Sequence, residues 1–126
     1  MHKQIEIDTA PVADIKEEVD DNFVFDSAEV MPEFPGGQIA LMQWIRENMY
    51  YPIIAQENRI QGRVDCSLVV NADGSVADVV VDRGVDPSID KEAVRVLRKL
   101  PDFTPGMQKG KPVRVKYSVQ VSFKLQ

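Results

Sequence analysis

The chain ends on a run of strict alternation. From Val113 to Leu125, "VRVKYSVQVSFKL", every odd position is apolar and every even one polar. That period predicts a strand with one buried and one wet face. It is long, since most strands have about 5–6 residues. A second alternating run, "GRVDCSLVV" (Gly62–Val70), turns Val64, Cys66, Leu68 and Val70 to one side. "NADGS" follows as a hairpin turn, its Asp73-Gly74 suiting a positive φ. "VADVVVD" (Val76–Asp82) then pairs back. Val76 is out of phase with Val79 and Val81, which predicts a β-bulge near Ala77–Asp78.

Two stretches have helical period instead. In Gly37–Met49, Ile39, Leu41, Met42, Ile45 and Met49 recur at three and four, with Trp44 beside them. "DPSIDKEAVRVLRKLP" (Asp86–Pro101) predicts a second helix, capped by Asp86 or Ser88, with Pro87 in its first turn. Ile89, Ala93, Val96, Leu97 and Leu100 form its buried stripe, Arg95, Arg98 and Lys99 suit its C-terminal dipole, and Pro101 stops it. Between the first helix and the first hairpin strand, Pro52 suits the first position of a short helix. "DFTPGMQKGKP" reads as a connecting loop, and Pro32 and Pro35 exclude regular helix across "MPEFPGG".

The predicted fold is therefore α+β, a two-layer sandwich with two main helices on one face of a three-stranded sheet. The second strand, helix and last strand make a crossover. The hairpin's first strand becomes central, the order is second, first, third, and the last strand is an edge.

Charge divides the chain. Residues 1–30 carry nine acids and two bases, and residues 31–126 carry eleven and thirteen. The reading is an acidic, largely disordered linker over 1–30 and a domain over 31–126; whether Phe23–Val30 docks in extended form stays open. The near-neutral domain offers no nucleic-acid surface. One cysteine, Cys66, and one histidine, His2, exclude an internal disulfide and a Cys/His zinc site within one chain. Cys66 reads as a small buried hydrophobe. No catalytic Ser-His-Asp or Cys-His set forms without the tail histidine. Asp65 and Asp78 sit on outward faces, where carboxylates are ordinarily just solvated. The expectation is a non-enzyme without cofactor or metal. No run approaches the roughly 20 apolar residues of a membrane span, so any anchor would lie outside this chain.

"YYPIIAQENRIQGRVDCSLVVNADGSVADVVV" followed by "DPSIDKEAVRVLRKLPDFTPGMQKGKPVRVKYSVQVSFKL" resembles the C-terminal domain of TonB, the energy transducer of the Gram-negative envelope. "MPEFPGGQIALMQWIRENM" is similar to an N-terminal extension found in one branch of that family. The resemblance covers about residues 31–125, with Phe103 where the branch usually carries Trp. It implies a periplasmic domain whose full-length protein is anchored in the inner membrane by an N-terminal helix joined to ExbB and ExbD. It also implies a partner, the TonB box of an outer-membrane receptor, whose opening the proton gradient drives. Tyr51 and Pro52 match the family's Tyr-Pro, next to the segment that contacts the box in relatives. The preceding Asn48–Tyr50 depart from the family's Gln-rich form.

The residues suggest how such gripping would work. An edge strand shows unpaired N–H and C=O groups, and Tyr117–Leu125 contains no proline, although Lys116 and Lys124 guard it. An extended peptide can complete that ladder. The expected contacts are the main chains of Val119, Gln120, Val121, Ser122 and Phe123. The alternative readings are a homo-oligomeric adapter pairing through the same edge, and the sensory domain of a membrane-bound regulator. The receptor and its nutrient are not written in the sequence.

Overall fold

The computed structural model describes residues 21–126. The acidic-linker reading of residues 1–20 lies outside the described residues. The elements are β1 (Val24–Phe25), α1 (Gly37–Asn48), α2 (Ile53–Glu57), β2 (Gly62–Val70), β3 (Val76–Arg83), α3 (Pro87–Leu97), β4 (Gly106–Gln108) and β5 (Lys111–Phe123). The fold is α+β. β2 is central, antiparallel to β3 on one side and to β5 on the other, as the alternation predicts.

The sheet has five strands rather than three, in the order β1-β5-β2-β3 with β4 paired to β5. Both additions are too short to show a period. β1 lies parallel to β5, Val24 opposite Arg114 and Phe25 opposite Val115. Phe23–Val30 thus docks, and Val30 also exchanges two backbone hydrogen bonds with Met107. β4 corrects the reading of "DFTPGMQKGKP" as loop. It forms a hairpin with β5 through Lys109 and Gly110, at φ 52° and 77°. Positive φ at both central positions is the two-residue turn that matches strand twist.

β3 advances three residues from Ala77 to Val80 while β2 advances two, and Asp78 has φ 50°. That is the bulge expected at Ala77–Asp78. It restores Val79 and Val81 to the helix side.

The core is one cluster between sheet and helices. β2 supplies Val64, Cys66, Leu68 and Val70, and β5 supplies Val119, Val121 and Phe123. α3 places Ile89, Ala93, Val96 and Leu97 of its predicted stripe there. Asp86 caps α3 by accepting the Ser88 N–H at 3.0 Å. The helix ends at Leu97 rather than running to Pro101. Lys99 and Leu100 then donate three residues back, to Val96 and Leu97, which tightens the last turn and returns Leu100 to the core.

On α1 the spacing misjudged the face. Leu41 and Ile45 are buried, but Ile39 and Met42 are exposed. The helix rests on the sheet along a narrow line, with Trp44 and Met49 packed at its margins. Pro52 immediately precedes α2, at ψ 138°, instead of being its first helical residue.

Candidate functional site: the open edge of the last strand

β5 pairs with β2 over an unbroken ladder, from Val115 opposite Val70 to Phe123 opposite Gly62. On its other side β1 lies opposite Arg114 and Val115. Among the described residues, no strand pairs with that side beyond β1.

Register decides which groups lie open. At the β2–β3 turn the Asn71 N–H donates to the Ser75 carbonyl at 2.8 Å, so Asn71 looks toward β3. Successive strand residues turn their backbone groups to opposite sides. Val70 therefore looks toward β5, as do Leu68, Cys66, Val64 and Gly62. Their opposites, Val115, Tyr117, Val119, Val121 and Phe123, spend their N–H and C=O groups inside the ladder. Ser118, Gln120 and Ser122 look outward.

Two further observations agree. The Leu125 N–H donates to Gln61 Oε1 on the β2 side at 3.0 Å, so odd positions face inward. Pro112, which has no N–H, falls in the outward set, where no ladder bond is lost.

The sequence-derived contact set therefore divides. Gln120 and Ser122 present main chain to the open edge. Val119, Val121 and Phe123 point theirs into the sheet, and their side chains are buried in the core. They build the strand rather than offer it. Ser118, outside the expected set, joins Gln120 and Ser122. Side-chain alternation alone marks which face is wet; backbone alternation needs the one hydrogen bond at Asn71.

Aromatic packing stiffens this strand from the helix side. The Tyr51 ring meets Phe123 edge-on, centroids 5.6 Å apart, and its hydroxyl donates to the Ile60 carbonyl. Tyr51 thus braces the far end of β5. Midway, Tyr117 packs on Phe103 at 5.2 Å, and Phe103 on Phe34 at 5.4 Å. The Tyr117 hydroxyl donates to Gln38 Oε1 at 3.2 Å. Burial, with a smaller contribution from Glu33, holds this phenol above its usual range.

Pro52 is placed elsewhere. With Tyr50 and Ile54 it lines an open groove of about 1040 Å³ against α3 and Val81. Beside that groove lies a cluster that sequence reasoning missed. Glu92 is 3% exposed. Its carboxylate accepts from Arg95 Nε at 2.6 Å, Arg95 Nη2 at 2.7 Å and the Tyr50 N–H at 2.8 Å. Arg95 also donates to the Asn48 carbonyl at 3.1 Å and stacks on the Tyr50 ring. Asn48–Tyr50 therefore tie the end of α1 to α3. The i,i+3 spacing of Glu92 and Arg95 was the available signal; an arginine near a helix end read instead as a dipole partner.

The outward carboxylates weighed as a catalytic pair each face a guanidinium. Asp65 lies 3.6 Å from Arg63 and Asp78 lies 3.5 Å from Arg114. Cys66 is buried on the core side of β2, and desolvation, then the charges of Asp82, Asp90 and Asp65, push its pKa up to about 11. Its thiol stays protonated at neutral pH.

Residues 47–125 match the family model for the Gram-negative bacterial TonB protein C-terminal. Among solved structures the chain is similar to the Helicobacter pylori TonB C-terminal domain, with 23% identity and a TM-score of 0.55, covering 70% of this chain and 80% of that one. It is likewise similar to the Pseudomonas aeruginosa TonB C-terminal domain, with 29% identity and a TM-score of 0.51, covering 62% and 79%. A search of the curated proteins finds no match. The family match starts at the end of α1 and runs through both hairpins to the open strand, and the chain belongs to the TonB C-terminal family.

Proposed function

We propose that this domain is the receptor-coupling end of a TonB-type energy transducer, and that it grips the TonB box of an outer-membrane transporter by adding it as a strand to β5. The observation that carries this reading is the edge at Ser118, Gln120 and Ser122, which is vacant among the described residues. Three outward residues offer both an N–H and a C=O, and each bond made contributes a net of roughly 0.5–1.5 kcal/mol. Ordering the peptide opposes that gain, so binding is modest and reversible. Main-chain bonds demand little of sequence, which suits one transducer serving several receptors.

In this reading the domain works in the periplasm and is not an enzyme. The proton gradient acts on it through ExbB and ExbD and an inner-membrane anchor that precedes it. Tyr51 holds the far end of β5 in place through Phe123, while Pro52 sets the start of α2; both support the site rather than touch the ligand. The acidic segment 1–30 would be the end of the linker, its last part, Phe23–Val30, docked on the folded domain of residues 31–126.

The test is an NMR titration of the chain with extended peptides from the N-termini of outer-membrane receptors. Amide shifts centred on Ser118, Gln120 and Ser122 are expected. Shifts confined to the α3 groove, or a stable dimer that peptide does not dissociate, would overturn it. The dimer result would favour a homo-oligomeric adapter.

A further inference from the structure

Main-chain pairing has a weakness as a means of recognition. The backbone is the same at every residue, so a two-residue slip preserves every hydrogen bond and every side-chain face. The outward row Lys116, Ser118, Gln120, Ser122 and Lys124 is uniformly polar and exposed and gives a partner little to register against. Something else must say where pairing begins.

The structure holds one feature in the right place. β1 occupies the same side of β5, immediately before the vacant stretch. By backbone alternation along β5 it takes both backbone groups of Arg114 and the N–H of Lys116, so the vacancy begins at the Lys116 carbonyl. β1 has only two residues, yet it is clamped at both ends. Upstream, Arg114 Nη1 donates to the Asn22 carbonyl at 2.8 Å. Arg114 is itself fixed by Asn71 Oδ1 at 2.8 Å and by Asp78. Downstream, the Glu29 N–H donates to Gln108 Oε1 at 2.9 Å, and Glu29 Oε1 accepts the Lys109 N–H at 2.8 Å. Val30 and Met107 exchange two bonds, at 3.0 and 2.8 Å, and so do Glu33 and Thr104.

We infer that Phe23–Val30 is a built-in end stop, which fixes the register of an incoming strand so that its pairing begins past Lys116 and runs toward Lys124. This rests on the edge-pairing reading and adds the register to it. The stop is a segment of the chain's own backbone, so it acts on any extended partner whatever its sequence. It also joins the chain that leads into the domain directly to the strand that would bear the load.

Amide exchange measured on the full chain and on Phe25→Pro tests this, with and without a synthetic nine-residue peptide of alternating threonine and valine as probe. The substitution removes the Phe25 N–H, which alternation turns toward the Arg114 carbonyl. Val30→Pro, which removes the clamp on Met107, is the second variant should the first fail to fold. In the unaltered chain, Arg114 and Lys116 exchange at least tenfold more slowly than Ser118, and the peptide slows only Ser118, Gln120 and Ser122. In the variant, Arg114 and Lys116 exchange at least tenfold faster when free, and the peptide then slows them too. The stop is overturned if Arg114 and Lys116 already exchange as fast as Ser118, or if the variant's footprint still begins at Ser118. Protection at no edge amide in either chain removes the edge-pairing reading and the stop with it; protection with an unchanged start removes the stop alone.

Discussion

Glu92 is a carboxylate with almost no access to water, and it survives there because three donors converge on it. Two come from Arg95, one turn along the same helix, and one from the backbone of Tyr50. Glu92→Ala leaves the Tyr50 N–H without its acceptor and Arg95 without its partner. The expected loss is about 1–3 kcal/mol in urea-induced unfolding, the cost of an orphaned buried donor. Glu92→Gln keeps an acceptor for Tyr50 and should lose less. Cys66 gives a pH signature. The unfolded thiol ionises near 9.0, and the folded one holds its proton to about 11. Between those values the unfolded chain binds fewer protons, so stability falls as pH rises through that window and is unaffected by this group below it. Cys66→Ala should flatten the alkaline limb of a stability–pH curve, at the cost of a small core cavity. A thiol reagent at pH 8 should react only when the chain unfolds.

At the scale of elements, what was legible in the sequence follows from length and period. β2, β3, β5 and α3 each repeat their pattern long enough to be read, and even the bulge in β3 announced itself as a phase slip at Val76. β1 and β4 have two and three residues, and no period can be read from so few; only their partners on β5 create them. α1 misled for a different reason. Its spacing is helical, but a helix at the margin of a small sheet buries a narrow line, and Ile39 and Met42 fall off it. The open edge itself was legible as an alternating strand at one end of the predicted order. Which of its amides point outward was not, because that depends on how the β2–β3 turn closes, with the Asn71 N–H on the Ser75 carbonyl. The hairpin that supplies this bond is pinned by Gly74. Gly74 has φ 91°, and a Cβ there would stand 2.2 Å from the Phe103 carbonyl oxygen. The Gly74 carbonyl also accepts the Phe103 N–H at 2.8 Å. Gly74→Ala should therefore lower the melting temperature by several degrees or more, by combining a left-handed backbone with a direct clash.

For the molecule as a whole, the packing converges on β5. α1 and the Tyr51, Phe103 and Tyr117 rings back it, β2 holds its inner side, and β1 closes the first part of its outer side. Among the described residues, what remains vacant is a row that begins after β1 and runs to Ser122. The most direct measurement of that claim is a comparison of two neighbouring prolines, Val121→Pro and Ser122→Pro, in thermal unfolding and in affinity for an extended receptor peptide. Val121 spends its N–H inside the β2–β5 ladder, so Val121→Pro should lower the melting temperature sharply. Ser122 turns its N–H outward, so Ser122→Pro should keep a folded chain but bind the peptide several-fold to about tenfold more weakly, the worth of one lost hydrogen bond. Unchanged peptide affinity in a folded Ser122→Pro chain would contradict the account.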